Sequence, residues 1–405
     1  MTQTPLSLPR HASTLAAAAL SLGLAHTAHA QNIPCNDVSL PNVVFIDGSS
    51  AVGPFVAKIA QALLNATPPV SVVYKSEGSC NGVNYLASVA PLFPSGTAQY
   101  WTDVSGDAGL TCDIQPTTPV DIGVSDVFAT SCGYAGLPAN VKDFHGPIQT
   151  MTFAVNENST RQVISAEAAY LTFGLGDDGG TPWSDHTKFF VRDQTSGTQQ
   201  MIARAIGVPA ARWAAPTAGG SAAVRTALQA ATAPQNTADL SIGILGLDSY
   251  GPGIRALAYQ HYDQDCGYTP SSSATATDLV NTRDGHYYIW GPIHMLTKTT
   301  GSHPTNLNAK TVIDLLQGTA VSDAVDLITI EAGRGVVPEC AMRVSRDTEV
   351  GPLMSYMPEQ SCECKFLSVA DSANLPAECT PCGGDAGTTC PADRPACNYG
   401  FCEVQ

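Results

Sequence analysis

The chain has 405 residues and a formal net charge of −16, with 35 acidic side chains against 19 basic ones. That sign excludes nucleic acid and anionic membrane surfaces as partners, because phosphate backbones are gripped through Lys and Arg. The length exceeds what one hydrophobic core usually serves, so two globular lobes are expected.

The first thirty residues hold one basic residue, Arg10, and no acidic one. Their apolar stretch ends in Ala28-His29-Ala30, a small-x-small cleavage pattern, and predicts a secretory signal peptide over 1–30. The stretch is too short to span a bilayer, and no cysteine follows it directly to carry a lipid anchor. The remaining chain is expected to be soluble and exported, periplasmic or extracellular. Without Arg10, 18 basic residues face the 35 acidic ones. All thirteen cysteines lie beyond residue 30, and an oxidising compartment favours their pairing as disulfides. The count is odd, which leaves one thiol free or paired between molecules.

In chain order, "PNVVFIDGSSAVGPFVAKIAQALL" starts with an apolar strand run and a Gly/Ser loop. Apolar residues at helical spacing follow: Phe55, Ile59, Ala60, Leu63 and Leu64. "SVVYKSEGSC" and "VDIGVSDVF" repeat the strand-then-loop pattern, which predicts βαβ units and a mostly parallel sheet. The Gly-, Pro- and Thr-rich segment between them reads as a surface excursion pinned through Cys112. "GPIQTMTFAVN" is a strand, and "ISAEAAYLTFG" a helix with Ser165 as N-cap. "FFVRDQTSGTQQMIARAIGV" ends a strand, turns through a polar loop and opens a helix. Then come the Ala-rich helix "SAAVRTALQAA", the buried strand "LSIGILGLDSY" and "HYYIWGPIHMLT", a strand with a turn. One or two helices occupy the segment before Pro338. From Cys362 onward seven cysteines crowd a Pro/Gly-rich segment that cannot build its own core and needs crosslinks. Zinc at Cys362-x-Cys364 and Cys379-x-x-Cys382 is the competing reading. The segment has no histidine, and disulfides are the expectation.

Three loops share one predicted geometry: Gly48-Ser49-Ser50-Ala51, Gly78-Ser79 and Ser196-Gly197-Thr198 each follow a strand and open a helix. Ligands of open α/β sheets collect at the carboxyl ends of strands. Helix N-termini there present unpaired N–H groups and the positive end of a dipole. Several such loops make an anion site without an excess of basic residues. Arg192 adds a planar fork for a tetrahedral oxyanion. Taken singly, Ser196-Gly197-Thr198 reads as an N-cap, Arg192 as an ion-pair partner of Asp193 or Asp185, and Asp126 as a turn residue.

In this order, "IDGSSAVGP", "YKSEGSCNGV", "VDIGVSDVF", "FFVRDQTSGTQQ" and "SIGILGLDSYG" resemble the periplasmic phosphate-binding proteins of phosphate ABC transporters, within the two-lobed solute-binding group. The resemblance runs roughly from Pro41 to Pro338, and Arg-x-x-x-Ser-Gly-Thr is its most specific element. It implies an α/β, two-lobed periplasmic-binding-protein-like fold with the ligand cleft between lobes; the small disulfide-rich C-terminal tail and the excursion before Asp126 have no counterpart in the family pattern. It also implies a phosphate site. Arg192 would clamp the anion, Ser196, Gly197 and Thr198 would donate from a helix start, and Ser79 through hydroxyl and backbone. Ser50, Ala51 and Val52 would donate from the first loop, and Asp126 would be the one acceptor. Val52 and Gly53 stand where the family pattern has threonine and phenylalanine, so one hydroxyl donor is lost. Asp193 lies one position earlier than the family's acidic residue.

The expected organisation is a signal peptide over 1–30, lobe 1 over 31–147 and 285–360, lobe 2 over 148–284, and the tail over 361–405. The chain is expected to cross between lobes near Phe144 to Pro147 and again near Asp284. The implied partners are inorganic phosphate and an ABC-transporter permease, with the protein a monomer. No cofactor or metal is expected, since the histidines are scattered without ligand spacing. No G-x-S-x-G elbow or H-E-x-x-H motif supports an enzyme. The alternatives are a binder of another oxyanion such as sulfate or molybdate, and a surface or adhesive protein on the same fold without the ligand.

Overall fold

In the computed structural model, residues 33–88, 95–102, 106–232, 235–319, 324–383 and 389–404 are described. The signal-peptide expectation lies outside them. β1 (Val43–Gly48) leads through the Gly/Ser loop into α1 (Gly53–Leu63), whose buried Phe55, Ile59, Ala60 and Leu63 recur at helical spacing. β2 (Ser71–Ser76) feeds α2 (Ser79–Ala87) in the same way. The segment read as a surface excursion instead forms a hairpin, β3 (Gly96–Tyr100) and β4 (Leu110–Ile114), that extends the sheet edge. Its alternate residues Ala98, Tyr100, Cys112 and Ile114 face inward, a period of two that the surrounding Gly and Pro hide. Cys112 is crosslinked to Cys35.

β5 (Ile122–Ser125) completes a parallel set with β1 and β2. β6 (Val141–Asn156) is 16 residues long, about 50 Å at the usual rise per residue. Next come β7 (Val163–Ser165), α3 (Ala166–Leu175), β8 (Phe189–Phe190), α4 (Gly197–Ile206), α5 (Ser221–Ala230) and α6 (Gln235–Leu240). Ser165 caps α3 as expected, its hydroxyl accepting from Ala168 N. β9 (Ile242–Gly246), β10 (Ile254–Ala256), β11 (Ala258–Gln260) and α7 (Val280–Arg283) precede the long strand β12 (Trp290–Thr300). The chain continues through β13 (His303–Pro304), α8 (Leu307–Leu316), α9 (Leu327–Ala332), β14 (Val344–Ser345) and β15 (Met354–Ser355). It ends with α10 (Glu363–Ala370), β16 (Ala396–Asn398) and β17 (Phe401–Glu403).

The main sheet runs β4-β3-β2-β1-β5-β12-β6-β9-β8, with β10 on β6 and β13 on β12. It is mixed rather than mostly parallel. Only β1–β2, β1–β5 and β8–β9 pair in parallel within it. The physical reason lies in the long strands. The first half of β6 pairs antiparallel with β12, and its second half with β9 and β10. Extended chain therefore makes the passage between the two halves of the sheet, where crossover helices would have kept it parallel.

Two principal cores flank that passage. One gathers Phe153, Phe173, Phe189, Ile202, Trp213 and Tyr259, with the Phe173 and Trp213 rings stacked 4.5 Å apart. The other gathers Val44, Ile46, Phe55, Leu63, Val124, Ile293, Met295 and Leu316. A further cluster joins Ile148, Trp290 and Val337 to the C-terminal Cys364, Phe366 and Leu367. The tail is crosslinked as expected, through Cys364–Cys379, Cys382–Cys397 and Cys390–Cys402. Those bonds use all four cysteines of the zinc alternative, with Cys362 joined to Cys340. Cys266, exposed, is the free thiol. The tail does not stand apart from the body. Glu363 is 2.7 Å from the buried guanidinium of Arg283, which also lies over the Phe366 ring.

Candidate functional site

The site grows from the carboxyl ends of β1, β2, β5 and β8. Gly48 has φ 143°, and a Cβ there would lie 1.8 Å from the Val124 carbonyl oxygen. Only glycine lets β1 end this close to β5. The chain then turns into Ser49, which donates from its hydroxyl to Asp126 Oδ2 at 2.6 Å and accepts from Ala51 N at 3.1 Å. The Tyr74 phenol donates to the Ser49 carbonyl, and Val52 is the N-cap residue of α1. Ala51 N thus has an internal partner already, and the expected pair of free backbone donors is reduced by one.

Ser79 is the first residue of α2. Its hydroxyl donates to Asp126 Oδ2 and accepts from Asp126 N, both at 3.1 Å. Cys80 N donates to the Thr195 carbonyl at 2.9 Å, which joins the second loop to the third. At Gly197, the start of α4, a Cβ would meet Ser79 Oγ at 2.3 Å and Asp126 Oδ2 at 2.7 Å. The absent side chain is what lets this helix start close over the carboxylate. Ser196 is its N-cap, the hydroxyl accepting from Gln199 N.

Arg192 is buried and donates in three directions: Nε to the Gly219 carbonyl at 2.7 Å, Nη1 to Ser221 Oγ at 2.8 Å, and Nη2 to Ser50 Oγ. The bland reading of this arginine as an ion-pair partner is not met. Among the described residues Asp185 pairs with Lys188, and Asp193 accepts from Thr195 N at 2.7 Å within its own loop. Burial holds the Arg192 guanidinium below its ordinary pKa, opposed by the charges of Asp126 and Asp193.

Asp126 is also fully buried, and burial pushes its carboxyl upward. The Ser49 and Ser79 hydroxyls and the charges of Arg192 and His294 pull the other way. Its Oδ2 carries both serine bonds, while Oδ1 is buried with no partner among the described residues. The Thr198 hydroxyl is in the same condition.

The structure therefore gathers Ser79, Asp126 and Gly197 in one knot and ties Ser50 to Arg192. Sequence reading passed over Ser49 as the direct Asp126 partner and Ser221 as an Arg192 partner. The signal for Ser221 was available, since Gly219-Gly220-Ser221 opens α5 as the other Gly/Ser loops open theirs. It also passed over Asp248, a buried carboxyl held well above its usual range by burial and by the charge of Asp126. Gln149 Nε2 donates to it at 3.0 Å, and Ser249 Oγ donates to the Ala51 carbonyl at 3.1 Å. A cavity of about 420 Å³ opens beside this region, lined by Ser50, Trp101, Ser221, Arg225 and Ser249 among others.

The expectation of scattered histidines is corrected as well. His145 and His294 face each other across β6 and β12 with ring centroids 4.7 Å apart, and both approach Asp143. The pattern needs strand register, which single-chain spacing does not supply.

No family model matches the chain, and no curated protein does. Among solved structures it is similar to a putative phosphate ABC transporter substrate-binding protein with bound phosphate from Clostridium perfringens. The identity is 16%, covering 73% of this chain and 99% of that one at a TM-score of 0.47. An ABC-type phosphate transport receptor from Vibrio cholerae matches at 13% identity, over 73% and 100% of the two chains, with a TM-score of 0.46. The reduced OxyR regulatory domain from Pseudomonas aeruginosa matches at 10% identity, over 68% and 99%, with a TM-score of 0.36. Likeness at this level carries no functional argument, so the reading rests on the residues.

Proposed function

We propose that this chain is an exported solute-binding protein that captures inorganic phosphate between its two principal cores and hands it to an ABC-type permease. The observation that carries the proposal is Asp126. A buried carboxylate has one oxygen held by two hydroxyls and the other without a partner among the described residues. It lies at the start of α2 and α4 and within electrostatic reach of buried Arg192. At neutral pH phosphate keeps at least one proton and can donate it to such an acceptor. Sulfate has none to give and would meet an unscreened negative charge. Selection would rest on that repulsion.

In this reading Arg192, Ser196, Gly197 and Thr198 approach the anion from one side. Ser50, Val52 and Ser79 approach from the other, with Ala51 holding the first loop in shape through Ser49. The Asp126 acceptor is the reason phosphate is favoured over sulfate or molybdate. The two halves act as lobes that close on the ligand about β6 and β12, as a monomer without catalysis. Titration calorimetry of the purified protein against phosphate, sulfate and molybdate tests the reading. Phosphate binding at micromolar or lower concentration with sulfate at least about a hundredfold weaker supports it. Equal binding of sulfate, or none of the three, overturns it and leaves the surface-protein alternative.

A further inference from the structure

We propose that Asp143, His145 and His294 form a binding site for a late first-row divalent metal ion, zinc above all, fastened across β6 and β12. The site follows from register. His145 and His294 are direct partners in the antiparallel ladder, and directly opposed residues project to the same face. Asp143 precedes His145 by two residues and shares that face, because side chains alternate along a strand. The ladder shifts register between Pro292 and His294, an irregularity of the kind that re-aims a side chain.

The donor atoms are already close. His294 Nδ1 is 2.8 Å from Asp143 Oδ2, and His145 Nε2 is 3.7 Å from the same oxygen. One ligand atom from each residue lies within 4.8 Å of the others. Ligand–metal distances of about 2.0–2.2 Å in a tetrahedral site require donors roughly 3.3 Å apart. Small side-chain adjustments reach that arrangement. His145, with 46% of its side chain exposed, is free to make them.

Chemistry and surroundings agree. Two imidazoles and a carboxylate suit zinc, copper or nickel and do not suit calcium or magnesium, which take oxygen donors. Three protein ligands leave a fourth position, and exposed His145 places it toward solvent. The Phe128 ring closes another side, its centroid 4.3 Å from that of His294 and 5.6 Å from that of His145. Asp143 Oδ1, on the carboxylate of the cluster, is buried without a partner among the described residues. A purely structural triad would be expected to satisfy it. A metal here would tie the two passage strands together where the cores meet.

The test is a zinc titration of the whole protein in phosphate-free buffer after chelator treatment, followed by calorimetry and thermal melting. One saturable site with micromolar or tighter affinity is expected, with a raised Tm. Binding should weaken by about tenfold or more in both His145→Ala and Asp143→Asn. The exposed pairs Asp177–His186 and Asp284–His286 supply the controls, and His186→Ala with His286→Ala should leave the affinity unchanged. His145 is surface-exposed, so its variant should fold, which circular dichroism checks. No saturable binding below about 1 mM zinc, a value well above a built site's range, would overturn the proposal. So would zinc binding that survives His145→Ala and disappears with the control substitutions.

Discussion

Asp126→Asn separates selection by a repulsive charge from selection by fit. The Asn amide oxygen can keep the two hydroxyl bonds that Asp126 Oδ2 receives from Ser49 and Ser79, so the loops should hold their places. What changes is the charge. Phosphate loses a charge-assisted hydrogen bond of about 1.5–3 kcal/mol. Loss of repulsion on the same anion offsets part of that, leaving phosphate about tenfold weaker. Sulfate gains. A unit charge about 4 Å away at an effective dielectric near 20 costs about 4 kcal/mol, or about three decades of affinity at 1.4 kcal/mol each. Asn also offers sulfate an N–H donor. The ratio of phosphate to sulfate affinity should therefore fall by at least a hundredfold. Calorimetry of wild type and variant against both anions at pH 7 reads the ratio directly. The variant should also melt higher in the absence of anion, because a buried charge has been removed. An unchanged ratio, with both proteins folded, would remove Asp126 from the binding surface and refute the reasoning.

Arg192→Ala should weaken phosphate binding more than Arg192→Lys, and Lys should still fall short by about tenfold. An ammonium has three N–H donors against arginine's five, so holding Gly219, Ser221 and Ser50 would leave it none for the anion; equal affinities by calorimetry for wild type and Ala would place Arg192 outside the site. A chain ending at Glu359 should retain phosphate binding yet melt well below the full protein, because it loses Phe366 from a buried cluster and leaves Arg283 without Glu363. The Cys340–Cys362 loop of 22 residues contributes about 3.4 kcal/mol more by chain entropy, and an unchanged Tm would show the tail to be an appendage after all. Asp47 is raised from 3.8 to about 8, first by burial and then by the charge of Glu77. Its contribution to stability is full below about pH 4 and is lost as pH rises to about 8, because the folded state binds the extra proton. The stability of Asp47→Asn relative to wild type in urea melts should accordingly grow from pH 5 to pH 8. A constant difference would contradict the assignment.

The parts of the fold legible in sequence are those fixed by local chemistry. Helical spacing placed α1, and an N-cap serine placed the starts of α3 and α4. The strand–loop–helix order placed Ser79 and Ser196 at helix beginnings. What stayed hidden depends on partners distant in sequence. Val141 to His145 alternate too weakly to announce a strand, since Lys142 and His145, on opposite faces of it, are both exposed. Pairing with β12 makes them the first half of β6. Cys340 joins Cys362 across the expected tail boundary, and nothing in cysteine spacing selects that bond over its rivals. Ser49 and Ser50 are adjacent and alike, yet one holds Asp126 and the other Arg192. The turn decides between them.

The net negative charge of the chain does not argue against the proposed anionic ligand, for a reason that lies in the site. Screening reduces interactions between exposed charges beyond about 8 Å at physiological ionic strength, so most of the acidic surface is invisible to an anion in the cleft. Within that radius the balance differs. The starts of α2, α4 and α5 lie at Ser79, Gly197 and Ser221, each beside Asp126 or Arg192. A helix N-terminus acts as about half a positive charge, so three of them with Arg192 make about +2.5. Against this stand Asp126 and Asp193, whose charges both act on Arg192, while burial pushes the Asp248 carboxyl upward. What remains is a small positive surplus, the sign that an anion needs. Only a ligand that brings its own proton to Asp126 gains that surplus without meeting the carboxylate as a charge of its own sign.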